Sequence, residues 1–137
     1  MDIVNCTPHD VIVYSNGVEV MRFPKSQHCI RLVALPPRVI RMFGNSLGTG
    51  WVVEPPIYTH MEGAPKDTTK AILVSMPVGQ EIAAGRINWD AYVFGPDSSP
   101  DGAVRDDNGN IVGTKGLIQY WPTPRWENTA PYAKTTQ

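Results

Sequence analysis

The chain has 137 residues, with 12 Lys+Arg against 13 Asp+Glu and a net charge of −1, a length that suits one domain with a buried core. Thirteen prolines, against roughly 7 at average usage, exclude a helical bundle, because proline lacks an amide donor and clashes inside helices. Four Trp, five Tyr and three Phe exclude a chain that buries nothing, and the missing basic surplus argues against nucleic acid as a partner.

Ile3-Val4 opens an apolar stretch that stops at Thr7-Pro8. Val11 to Tyr14 and Val18 to Phe23 flank Ser15-Asn16-Gly17; Asn-Gly between β-branched runs predicts a hairpin, since both central residues must take positive φ. His28 to Leu35 reads as a third strand closed by Pro36-Pro37, and Val39 to Phe43 as a fourth closed by Gly44-Asn45-Ser46. Trp51 to Val53 and Ile57 to Thr59 flank Pro55-Pro56, which permits only an edge strand or two short ones.

Ala71 to Val74 is a continuous apolar run, the pattern of a strand covered on both faces. Val78 to Ala84 is the helix candidate, with Pro77 at its start and Gly85 past its end. Ala91 to Phe94 predicts another strand, Gly95 to Gly102 a loop, and Val104-Arg105 with Ile111-Val112 a second hairpin around Asp106 to Asn110. Gly116 to Trp121 predicts the last strand. The expected organisation is a single β-rich domain over 1–121 and a Pro/aromatic C-terminal arm over 122–137. The expected class is α+β, β-dominated, a compact mixed or antiparallel sheet with one short helix. The arm has almost no aliphatic residues with which to build a core, so it frays, packs on its own domain or lies on a neighbouring subunit; the last predicts a homo-oligomer.

Apolar runs of about five residues fall far short of the ~20 that span a bilayer, so no membrane partner is expected. The start Met1-Asp2-Ile3-Val4-Asn5 has no apolar leader pattern, and Cys6 and Cys29 match no metal spacing. A reduced, cytoplasmic protein is therefore expected.

The segment Asn5-Cys6-Thr7-Pro8-His9-Asp10 is the richest in chemistry. Cys6 and His9 stand three apart across a proline, poor geometry for a nucleophile and base. Asn5 and Thr7 suit an Asx or Ser/Thr turn that orients Pro8, leaving His9 as a ligand donor. Ser75 precedes the helix, where it either caps the end or, with the free amides there, receives an anion. Arg22, Arg31, Arg38 and Arg41 fall on neighbouring predicted strands, with Arg105 beside the second hairpin. Guanidinium forks suit phosphate or carboxylate, and a solvated strand face is the plainer alternative. His9, His28 and His60 are isolated, so neither a metal nor a cofactor is expected. Asp106 to Asn110 lacks the distal glutamate of an EF-hand and reads as a turn.

These residues resemble a family of small proteins common in phages and prophages. Its N-x-T-P-H opening is matched by Asn5, Thr7, Pro8 and His9, and its Gly-x-Pro step by Gly63-Ala64-Pro65. Its strand-then-helix segment is similar to Ala71 to Ser75 running into Val78 to Ile82, and its V-R-D-x-x-G-x-I-x-G to Val104-Arg105-Asp106, Gly109, Ile111 and Gly113. The likeness runs from Ile3 to about Ile118. Cys6 replaces the usual aliphatic residue, and the aromatic tail extends beyond the usual end. The resemblance implies a phage accessory protein with no settled activity to carry over.

The leading expectation is non-catalytic binding and sequestration of a small anionic, nucleotide-like ligand, such as a host immune signal, in the host cytoplasm. Asn5, Thr7, His9, Arg22, Arg31, Ser75 and Arg105 are the candidate ligand residues. The alternatives are a virion structural or head-decoration protein and a small hydrolase of the same ligand class.

Overall fold

A computed structural model describes residues 2–124. The chain is β-dominated, with twelve strands and one short helix among the described residues. The strands divide between two four-stranded sheets and two ribbons rather than forming a single sheet. The part of the predicted C-terminal arm from residue 125 onward lies outside the described residues.

The first sheet holds β1 (Ile3–Asn5), β8 (Ala71–Leu73), β9 (Val93–Pro96) and β12 (Leu117–Trp121), in that order. β1 and β9 flank β8 in parallel, and β12 closes the sheet antiparallel to β9. The sheet is mixed, as the apolar run at 71–74 leads one to expect. Ile72, Leu73 and Val74 are fully buried, and helix α1 (Met76–Ala83) packs over β9 and β12. Val78 and Ile82 of the helix join Ile72, Val74, Val93 and Tyr120 in one core. Trp89 reaches the same core and donates its indole N–H to the Lys70 carbonyl at 2.8 Å, tying the connection after the helix back to β8.

The second sheet runs β10 (Ala103–Arg105), β11 (Ile111–Thr114), β2 (Val11–Ser15), β3 (Val18–Phe23). Both predicted hairpins are here, as antiparallel pairs β2–β3 and β10–β11. Asn16 and Gly17 take φ of 52° and 78°, the paired positive values that a two-residue turn needs to match strand twist.

The remaining strands make one long, interrupted antiparallel ribbon. β4 (Arg31–Ala34) pairs with β7 (Tyr58–Glu62), and β5 (Val39–Asn45) with β6 (Gly48–Val53). Between the two halves Pro36-Pro37 faces Pro55-Pro56, bracketed by Leu35 N–H to Ile57 O and Glu54 N–H to Arg38 O, both 2.9 Å. With two adjacent prolines on each strand, neither strand has a backbone N–H to donate across at this level, so the pairing must break there. The inner half supplies Leu32 and Met61 to the core, whereas the outer half is exposed almost throughout.

Strand ends shift by up to three residues from the sequence expectation: β4 begins at Arg31 rather than His28, β6 at Gly48 rather than Trp51, and β7 ends at Glu62 rather than Thr59. The loop expected from Gly95 begins two residues later, because β9 continues through Gly95 and Pro96, opposite Ile118 and Leu117. β8 pairs with β9 only at Val93 and Phe94, so Pro96 has no neighbour on its donor side and its missing N–H costs nothing there. The fourth strand, expected over Val39 to Phe43, runs two residues further, because Gly44 and Asn45 pair with Thr49 and Gly48, and it closes at the turn Ser46-Leu47.

Candidate functional site

Four segments distant in the chain converge on a cleft of about 450 Å³. Its walls are the turn Thr7–Asp10 leading into Val11 and Ile12, the helix start Ser75-Met76, the loop Pro96–Ser98, and β11 from Ile111 to Thr114. The cleft therefore lies where the two sheets meet, and its volume is in the range that small ligands occupy.

Asn5 builds the first wall. Its amide Nδ2 donates to the carbonyls of His9 (2.9 Å) and Phe23 (2.8 Å), while its Oδ1 accepts the Thr7 N–H at 2.9 Å. The Thr7 hydroxyl lies 2.7 Å from Asn5 Oδ1 and 2.8 Å from the His9 carbonyl. The Asn5 carbonyl accepts the Ser26 hydroxyl at 2.7 Å. Every polar atom of the Asn5 side chain is thus committed within the protein, and both Asn5 and Thr7 are buried. They hold the turn that presents His9, rather than offering free donors themselves.

Thr114 anchors the far wall. Fully buried at the end of β11, its hydroxyl sits 2.8 Å from the Asp97 carbonyl and 2.7 Å from that of Gly116. Asp97 Oδ1 accepts the Ser99 N–H at 3.1 Å. The Ser99 hydroxyl and N–H hold the Asp97 carboxyl below its ordinary range. Asp10 is likewise held low, first by the Lys25 N–H on its Oδ1 at 2.9 Å and then by Arg22 at 3.4 Å. Both carboxylates of the cleft are engaged by the protein's own donors.

Ser75 is the N-cap of α1, in an extended conformation and with no side-chain capping bond. Its hydroxyl is available, and Met76 and Val78 begin a helix whose first amides have no partner within it. No acidic residue stands in that first turn, so the positive end of the helix is not neutralised locally.

Of the seven candidate residues, Thr7, His9 and Ser75 line this cleft, and Asn5 supports it. Arg22 stands behind Asp10, in a two-pronged pair with Glu19. Arg31 pairs with Glu62 across the β4–β7 ribbon at 3.4 Å, and Arg105 donates to the Gly109 carbonyl of its own turn at 2.6 Å. Neither lines the cleft. Sequence reasoning missed Asp97, Ser98 and the β11 wall; their one local signal was the Asx turn in Pro96-Asp97-Ser98-Ser99.

Cys6 is 1% exposed, and burial, with the neighbouring Cys29 thiol, pushes its pKa up to about 12. A thiol so raised supplies almost no thiolate near neutral pH. Among the described residues no His, Cys, Asp or Glu cluster is placed to hold a metal ion, and no helix is long and apolar enough to cross a membrane. Comparison with known proteins returns no matching protein family, no matching curated protein and no matching solved structure. The class of this protein therefore rests on its own architecture: a β-dominated domain with a ligand-sized cleft between two sheets.

Proposed function

We propose that the cleft captures a small ligand without transforming it, and that the ligand has an apolar body and one acidic group. What supports this reading is the convergence of Thr7, His9 and Ser75, from segments nearly 70 residues apart, on a single concave site. Val11, Ile12, Met76, Ile111 and Val112 would seat the apolar part, such as the face of a nucleobase. The Ser75 hydroxyl, the first-turn amides and His9 would receive a singly charged phosphodiester or carboxylate. No Lys or Arg stands among the lining residues, and Asp10 and Asp97 do, so a polyphosphate would be repelled. Sequestration of a signalling nucleotide during phage infection is the biological role that follows if the family resemblance holds.

Thermal-shift and calorimetric titration of the purified chain with cyclic mononucleotides, ADP-ribose and nucleoside triphosphates test it. The expected result is stabilisation by a cyclic mononucleotide, its recovery unchanged, and loss of binding in Ser75→Glu. No response to any member, or binding undiminished by that substitution, overturns the proposal. Conversion of the bound nucleotide would favour the hydrolase reading instead. A virion role draws support from the exposed β5–β6 ribbon; mass spectrometry of purified particles separates it, since a sequestering protein is expected to be absent from them.

A further inference from the structure

We infer that the β5–β6 ribbon is a self-association arm, packing through its Met42–Trp51 face against the same ribbon of a second copy of this chain. The inference is independent of any ligand in the cleft.

The ribbon is apolar yet covered by nothing among the described residues. Ile40, Met42, Phe43, Trp51 and Val53 are each roughly half exposed, and Leu47 at the tip is 93% exposed. Leaving out Phe43, which belongs to the other face, they leave on the order of 500–600 Å² of apolar surface in water, at the upper end of the ~300–600 Å² of the largest patch on a typical monomer. That is below the ~800 Å² that each partner contributes to a standard interface, which fits a reversible, micromolar contact rather than an obligate one. The register sorts the side chains by face. Met42 stands directly opposite Trp51 on one face. On the other, the Phe43 ring lies across Gly50, whose missing side chain makes room for it. One face is thus partly closed by its own aromatic ring, and the Met42–Trp51 face is open.

Three features select a second copy as the occupant. A two-stranded ribbon alone is marginal in water unless its apolar face is packed, and face-to-face contact between two copies covers both ribbons at once. Between Val39 and Val53 the only charged residue is Arg41, so no acidic or basic partner is called for and little repulsion opposes like meeting like. The facing proline pairs at the base break the ladder to the inner ribbon, which leaves the outer ribbon free to pair elsewhere. A two-fold contact of this kind also closes on itself and uses up the exposed patch.

Size-exclusion chromatography with light scattering on the full chain tests the inference. The expected mass is that of a dimer in the micromolar range. Trp51→Ser is expected to weaken it by about thirtyfold or more, the loss of one central aromatic anchor. Trp51 is exposed in the single copy, so far-UV circular dichroism is expected to be unchanged; should it change, Met42→Ser reads the same face. Hydrogen exchange is expected to slow across residues 39–53 as concentration rises. A monomer throughout that range, a dimer that survives both substitutions, or protection confined to other residues overturns the inference, including where a vesicle or another protein proves to cover the ribbon.

Discussion

At the scale of single residues, Asn5 illustrates how one side chain can join elements that propensity cannot. It links β1, the following turn and the end of β3 through two donated and one accepted backbone bond. Asn5→Ala removes the side-chain bonds to the Phe23 carbonyl and the Thr7 amide, while the Thr7 hydroxyl still serves the His9 carbonyl, for an expected loss of about 1–3 kcal/mol in denaturant unfolding. Asn5→Asp keeps the acceptor but turns a carboxylate oxygen toward the His9 and Phe23 carbonyls, so it is expected to be no better tolerated. Cys6 yields a prediction in pH. Its folded pKa, near 12, stands above an ordinary value near 9, so the folded state retains a proton that the unfolded chain loses. Its contribution is complete below pH 9 and declines as pH rises toward 12, by up to about 1.4 kcal/mol per pH unit. The difference in slope between the parent and Cys6→Ala in alkaline denaturation measures it. Consistently, Cys29, the exposed thiol, is expected to react with an aromatic disulfide reagent while Cys6 waits for unfolding. The Asp10 and Asp97 carboxyls, both held low, work in the opposite sense: they stabilise above the ordinary Asp range and lose that effect as pH falls through it.

At the scale of elements, the local code was legible wherever a turn or a helix end dictated it. Asn16-Gly17 announced the β2–β3 hairpin, and Pro77 and Gly85 bracketed the helix to within a residue or two. The β5–β6 pairing was not legible, because Asn45-Ser46-Leu47-Gly48 carries no adjacent pair of residues favouring positive φ. Close packing was equally invisible. A methyl group added at Gly95 would sit 2.7 Å from the Tyr120 ring and 2.8 Å from the Val74 carbonyl, where β9 lies beneath both. Gly95→Ala is therefore expected to destabilise by about 1–3 kcal/mol through overpacking, read as a fall in the melting temperature. Trp89→Phe removes the bond to Lys70 while keeping an aromatic ring in the core, for an expected cost of about 1–2 kcal/mol.

At the scale of the whole molecule, the arginines show what spacing alone cannot convey. Arg22, Arg31, Arg38 and Arg41 are close in sequence, yet three of them go to separate carboxylates on Glu19, Glu62 and Glu54, and Arg41 rides on the ribbon. If association through the ribbon stabilises the fold, the melting temperature is expected to rise with protein concentration, because a partner that binds only the folded state shifts unfolding by mass action. Differential scanning calorimetry at several concentrations, with Trp51→Ser beside the parent, reads that shift.

By itself, the sequence determined the β-dominated class, the positions of the turns, the double-faced burial of the 71–74 strand and the place of the helix. Those features depend on neighbours within a few residues: fixed φ at proline, positive φ at Asn-Gly, alternation along a strand. Only the tertiary structure decided that β1 pairs with β8 some 68 residues away, that β11 meets β2 to close a cleft around His9 and Ser75, and that an apolar ribbon stands clear of both sheets. Such pairings are chosen by competition among every exposed strand edge for burial and backbone partners. That competition is settled across the whole chain, and no short stretch of it carries the answer.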